Sequence, residues 1–175
     1  DYTATPGTLS FASGQTSRTF TVPILPDTLD EANETVTLTL SNPTGGAALG
    51  TTNPATLTIT DNDVGGALKF SAATYNAGEA GGSATITVTR SDGTASGVTV
   101  DYATSNGTAT AGGDYTAASG TLSPAANETS KTFMVPILND GLGEGNESVS
   151  LTLSNPMGGA TLATPNAAAL TIADD

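Results

Sequence analysis

The chain has 175 residues and a formal charge of −13, from 17 acids against 4 Lys and Arg, with no Cys and no His. Those two absences exclude disulfide frameworks, thiolate or imidazole zinc sites, cysteine nucleophiles and histidine-dependent serine triads, and the charge excludes a basic surface for nucleic acid or anionic lipid. Many Thr, 21 Gly, 9 Pro and no run near the roughly 18 apolar residues of a membrane helix predict an all-β chain with no membrane insertion.

In chain order, Asp1-Tyr2-Thr3 opens the sequence without a signal-peptide pattern, so any export signal is expected outside this segment. Phe20, Val22 and Ile24 alternate with Thr19, Thr21 and Pro23 and predict a strand, which Pro23 confines to an edge or bulge. An acidic loop with Asp27, Glu31 and Glu34 follows. Val36, Leu38 and Leu40 alternate with Thr and predict a second strand, ended by the turn residues Asn42 to Gly46. Leu57 and Ile59 predict a third strand, closed by Asp61 and Asp63.

Leu68 with Phe70, Ile86 with Val88, and Val98 with Val100 and Tyr102 repeat the period-two pattern, with turns at Ser91 to Gly93 and Asn106-Gly107. From Asp114 the opening segment returns. Asp1-Tyr2-Thr3 recurs as Asp114-Tyr115-Thr116, an offset of 113 residues, and the copies align without a gap through Val22-Pro23-Ile24-Leu25 against Val135-Pro136-Ile137-Leu138 to Leu57-Thr58-Ile59 against Leu170-Thr171-Ile172. Residues 67–113 have no counterpart before the first copy. The expected organisation is therefore a partial repeat over 1–63 and a complete one over 64–175, taken from a longer tandem array. About seven short strands in the complete copy predict an immunoglobulin-like antiparallel β-sandwich with a thin aliphatic core.

A single acid in a loop is ordinarily solvated, but here the acids recur. Asp1 matches Asp114, and Asp27, Glu31 and Glu34 match Asp140, Glu144 and Glu147. Asp61 and Asp63 follow the third strand of the first copy, and Asp174 and Asp175 end the second. A sandwich delivers its loops to two poles, so acids placed after successive strands converge at one end, where few Lys or Arg offset their repulsion. A bound cation does so, and flexible oxygen-rich loops favour calcium over the stricter octahedron of magnesium. Tyr2 and Tyr115 are expected as core or corner tyrosines. Asn33, Asn106, Asn127 and Asn146 match the Asn-x-Ser/Thr pattern incidentally.

Gly112-Gly113-Asp114-Tyr115, the run Val135 to Asp140, Glu144, Asn146-Glu147 and the closing Leu170 to Asp175 resemble Calx-beta modules, the repeats of sodium-calcium exchangers and of large bacterial surface proteins. The resemblance covers essentially the whole chain. It implies calcium ligands at Glu79, Asp114, Asp140, Glu144, Glu147, Asp174 and Asp175, with the Leu142 carbonyl, and at Asp1, Asp27, Glu31, Glu34, Asp61 and Asp63 in the partial copy. Asn139 and Pro26 stand where the family's acidic loop begins with an acid, Gly143 and Gly145 thin that loop, and the partial copy has no equivalent of Glu79.

The expected function is a calcium-binding structural module of a secreted or cell-surface repeat protein, bacterial in character, with neighbouring repeats or identical subunits as partners. The short junction from Thr60 to Leu68 begins among the acids, so calcium is expected to stiffen it. A ligand-binding adhesion module is a second expectation, although aromatic platforms are scarce. A filament subunit whose incomplete sandwich is completed by a neighbouring chain is a third. An enzyme using paired carboxylates is not expected, because the acids recur in both copies rather than marking one centre.

Overall fold

The structure, a computed structural model, describes residues 1–139 and 143–174. The chain divides into two compact units, Asp1–Asp61 and Asn62–Asp175. Unit 2 is an immunoglobulin-like β-sandwich. Its strands are β3 (Ala67–Phe70), β4 (Thr74–Gly78), β5 (Ser83–Ser91), β6 (Thr99–Asn106), β7 (Ser119–Leu122), β8 (Ser130–Pro136), β9 (Glu147–Met157), β10 (Thr161–Leu162) and β11 (Ala167–Ala173). One sheet has the order β10-β3-β5-β8 and the other β4-β11-β9-β6-β7.

Nine strands replace the expected seven or so, because the first strand of the sandwich bends after Phe70 and serves both sheets and the two-residue β10 adds another. Its first half, β3, pairs with β10 and β5, and its second half, β4, pairs with β11. The pairings of β3 with β10 and of β4 with β11 are parallel, so the sandwich is antiparallel except at these two ladders. Pro136 ends β8, which lies at a sheet edge, where its missing N–H breaks no ladder.

Period-two alternation aims one side of each strand inward. Leu68 and Phe70, Ile86 and Val88, Phe133 and Val135, Val149 and Leu151, and Leu170 and Ile172 meet between the sheets, and most are fully buried. Tyr102 stacks on Phe133 across the core, with centroids 4.0 Å apart. The phenol of Tyr115 is fully buried and donates to Asn106 Oδ1 at 2.8 Å, the corner role expected of it. That bond also occupies the Asn106 side chain.

On β5 the inward position after Val88 belongs to Arg90, which is buried. Its guanidinium donates to the carbonyls of Gly65 (2.8 Å), Ala125 (3.1 Å), Ser96 (3.2 Å) and Ala95, tying three loops at that end of the sandwich. Gly66 there has φ +82, and a Cβ would clash with the Gly93 carbonyl, so the start of unit 2 is locked into this end.

Unit 1 is simpler. β1 (Glu34–Leu38) and β2 (Ala55–Ile59) form an antiparallel hairpin in which Glu34 faces Ile59, the register that Glu147 and Ile172 keep between β9 and β11. The strand expected over Phe20 to Ile24 is absent. Only a bridge between Tyr2 and Ile24 forms, with Thr3 N–H donating to the Pro23 carbonyl and Leu25 N–H to the Asp1 carbonyl, both at 2.9 Å. The matching residues of unit 2 form β8 by pairing with β5. Unit 1 contains no equivalent of β5, and alternation without a ladder partner does not make a strand. For the same reason Tyr2, expected in a core or corner, is 43% exposed. Among the described residues no helix is long and apolar enough to cross a membrane.

Candidate metal centre

Three adjacent strands of the five-stranded sheet bring acids to one end of unit 2. β4 and β11 run parallel with Gly78 opposite Ala173, so the next residues, Glu79 and Asp174, leave the sheet together. Glu147 begins β9 opposite Ile172 of β11, on the same end. Asp114 arrives from the turn after β6, where Thr110 N–H donates to its Oδ2 at 2.6 Å. The cleft so formed is lined by Glu79, Asp114, Glu144, Gly145, Glu147, Ile172 and Asp174. Among the described residues no Lys or Arg lines it.

Asp114, Glu144 and Glu147 each place a carboxylate oxygen within 4.8 Å of the others. Oxygens held about 2.4 Å from one calcium lie at most about 5 Å apart, so these three fit a common cation. The Glu144 N–H donates to Asp174 Oδ2 at 3.0 Å. The other oxygen, Oδ1, is buried without a hydrogen-bond partner. A buried carboxylate oxygen lacking a donor is costly, and a cation in the cleft would satisfy it. Glu79 is itself buried, in the short turn after β4.

The electrostatics agree. The Glu147 carboxyl is pushed above its ordinary range by loss of hydration, then by a hydrogen bond with Asp114 and by the negative charges of Asp114, Glu144 and Glu79. Without a cation Glu147 therefore holds its proton more tightly than a free glutamate does.

Unit 1 repeats the arrangement at its own equivalent positions. Asp1, Glu31 and Glu34 also bring three carboxylate oxygens within 4.8 Å, though all three residues are exposed. Glu31 N–H donates to Asp61 Oδ2 at 3.1 Å, and Asp61 N–H to Asn33 Oδ1 at 3.1 Å. Asp27 stands apart from this trio, its Oδ1 accepting from Leu29 N–H at 2.8 Å, and Asp63 is also outside it. Asp140, Leu142 and Asp175 lie outside the described residues.

Two features were not anticipated. Gly145 and Ile172 line the cleft between the acids. Arg90 organises the loops at the other end of β5. Its signal is present in the alternation Ile86, Val88, Arg90, which assigns the basic residue to the inward face.

A sequence profile described as Calx-beta domain matches residues 1–63 and 61–175. Sodium/calcium exchanger 1 of Rattus norvegicus is 30% identical over 174 residues, covering 89% of this chain and 18% of the exchanger, so the chain spans less than a fifth of that relative. Adhesion G-protein coupled receptor V1 of Danio rerio is 34% identical over 175 residues, 93% of this chain and 3% of the receptor. Among solved structures, the calcium binding domain CBD12 of CALX1.1 superposes with a TM-score of 0.60 at 30% identity, covering 62% of this chain and 44% of that one. The repeat, the sandwich and the family profile together place the chain in the Calx-beta domain family.

Proposed function

We propose that the chain is a calcium-binding structural module of a secreted or cell-surface repeat protein, a spacer whose acidic pole is stiffened by calcium. The observation that carries this reading is the buried, unpartnered Oδ1 of Asp174 beside the convergent oxygens of Asp114, Glu144 and Glu147. Glu79 and Asp174 complete the candidate ligand set in unit 2, and Asp1, Glu31, Glu34 and Asp61 supply the corresponding set in unit 1. The solved relative described as a calcium binding domain supports the choice of ion. Hard carboxylate oxygens without a nitrogen or sulfur donor suit calcium on chemical grounds.

The role is structural rather than enzymatic. The acids occur at matching positions in both copies, as repeated ion sites do, and no histidine or cysteine is present to supply a nucleophile or proton relay. The extracellular, bacterial-surface setting rests on a Thr-rich, Lys-poor, cysteine-free tandem repeat. Neighbouring repeats are the partners this reading implies.

Thermal unfolding tests the ion. A ligand that binds only the folded state adds RT ln(1 + [L]/Kd), about 2.7 kcal/mol at a hundredfold excess over Kd. Millimolar calcium should raise the melting temperature of unit 2 relative to chelator, and magnesium should raise it less. Equal midpoints in calcium and chelator would remove the proposal.

A further inference from the structure

The four Asn-x-Ser/Thr matches at Asn33, Asn106, Asn127 and Asn146 are equivalent in sequence, but their settings differ. An Asn of this pattern takes a sugar where its carboxamide can reach solvent and the hydroxyl two residues on is free to be recognised. Those two side chains are the ones to compare.

Three of the matches have at least one of the two committed. Asn106 Oδ1 accepts from the Tyr115 hydroxyl at 2.8 Å and from Ala111 N–H at 3.0 Å, and Thr108 Oγ1 accepts from Ser148 N–H at 2.8 Å, so this match is locked at both ends. Asn146 is exposed, but Ser148 is half-buried in β9, where its Oγ accepts from Thr108 N–H at 3.2 Å, and the residue between them is Glu147 of the acidic cleft. Asn33 Oδ1 accepts from Asp61 N–H at 3.1 Å, and Glu34 and Thr35 are already inside β1.

Asn127 differs from all three. It sits in the turn before β8 at φ +65, a left-handed conformation that Asn adopts more readily than most residues. The backbone of the turn is held firmly: Asn127 N–H donates to the Thr94 carbonyl at 2.9 Å, Glu128 N–H to the Ala125 carbonyl at 3.0 Å, and Arg90 N–H to the Thr129 carbonyl at 2.8 Å. Glu128 is occupied by the Ala125 N–H and by Lys131 Nζ, each at 2.9 Å. The side chains of Asn127 and Thr129 are both exposed, and among the described residues neither makes a hydrogen bond. The fold thus fixes the main chain and leaves the two recognition groups free.

We propose that Asn127 is an N-glycosylation acceptor, selected by the fold over the other three matches, and that its donor is a nucleoside-diphosphate hexose. In the transfer, Asn127 Nδ2 forms a bond to the anomeric carbon as the bond from that carbon to the diphosphate oxygen breaks. The nucleoside diphosphate leaves with the electron pair, and the Nδ2 proton passes to a base of the transferase. The turn is tied to the loops at the Arg90 end of unit 2, and none of its residues is among those described as lining the cleft, so a sugar there leaves the cleft open. The proposal goes beyond the calcium reading and uses no ion.

The test incubates the folded 175-residue chain with a soluble Asn-directed glucosyltransferase and uridine-diphosphate glucose, in calcium and in chelator, and maps the product by peptide mass spectrometry. One hexose should appear per chain, on Asn127, in both conditions. Thr129→Ala removes the exposed hydroxyl without disturbing the left-handed turn residue, so it should abolish the labelling while the melting of unit 2 is unchanged. Short free peptides centred on Asn106 and Asn146 should accept the sugar that the same residues refuse in the folded chain. Absence of hexose from Asn127, equal labelling of another match in the folded chain, or undiminished labelling of Thr129→Ala would each overturn the proposal. Refusal by the free Asn106 and Asn146 peptides would trace the choice to local sequence rather than to the fold and would overturn it as well.

Discussion

The Glu144 amide donates to Asp174 Oδ2 at 3.0 Å, and one repeat earlier the Glu31 amide makes the same bond to Asp61 Oδ2 at 3.1 Å. An acid at the end of the last strand thus holds the backbone of the acidic loop, and a glutamate one turn of chain away presents its side chain to the cleft. In unit 2 this leaves Asp174 Oδ1 buried and unpartnered in the cleft lined by Glu79, Asp114, Glu144 and Glu147.

Asp174 therefore has two separable roles. Asp174→Asn keeps an oxygen to accept from Glu144 N–H but removes the charge, so the cation-free unit should melt no lower than wild type. Its calcium affinity should fall about tenfold or more, removing about 1.4 kcal/mol of calcium-linked stability. Asp174→Ala should lose both and lower the midpoint in chelator as well. Parallel melts with and without calcium distinguish the two substitutions.

The Glu147 carboxyl gives the pH dependence its sign. Its folded-state pKa is raised by lost hydration first, then by the Asp114 hydrogen bond and the neighbouring charges. The folded, cation-free unit consequently binds that proton more tightly than the unfolded chain. The resulting stability is fully present below the ordinary glutamate value and is lost as pH rises through the raised value. Calcium needs the ionised form. Acidification from neutral pH into that window should therefore diminish the calcium-induced rise in melting temperature, and Glu147→Gln in chelator should flatten this part of the pH profile.

Arg90 tests whether the far end of unit 2 is independent of the cleft. Replacing it with Met removes the buried hydrogen bond to the Gly65 carbonyl and the part-buried ones to Ser96 and Ala125, and a lost hydrogen bond to a charged group costs about 1.5–3 kcal/mol. Urea unfolding should show a loss of at least about 2 kcal/mol in unit 2. The calcium-induced shift should persist, because the Arg90 side chain donates to Gly65, Ala95, Ser96 and Ala125, none of which is among the described residues that line the cleft. Loss of that shift in a folded Arg90→Met would mean that the two ends are coupled.

The repeat was legible because the core of each copy uses the same apolar residues at the same spacing, and alternation found the strands wherever a ladder partner exists. It misread Phe20 to Ile24, since period two reports which face is apolar and says nothing about whether a neighbour such as β5 is present. It also counted too few strands, because a bend that lets one strand serve two sheets leaves little trace in residues 71–73. At the cleft, recurrence identified Asp114, Glu144 and Glu147, whose positions after strand ends are set by topology. Asp27 was not distinguishable from them in sequence, because an acid capping its own turn through Leu29 N–H has the same composition as an acid facing an ion.

The last expectation separates a local site from a diffuse negative field. Glu144→Gln and Asp92→Asn each remove one charge from unit 2, so a field generated by the total of −13 would respond to them alike. Their settings differ. Glu144 contributes an oxygen to the three-carboxylate cluster, whereas Asp92 sits in the turn after β5 and accepts from the Ser91 hydroxyl at 2.9 Å. Carboxylates far beyond contact act on a bound ion only through water and are screened over about 8 Å at physiological salt. Glu144→Gln should weaken calcium binding in a calorimetric titration by about tenfold or more, as loss of one charged ligand implies, while Asp92→Asn should change it by less than about twofold. Raising the salt concentration should leave that contrast in place, because a direct ligand is far less screened than a distant charge. Equal effects of the two substitutions, converging further as salt is raised, would show that the acids act through their sum.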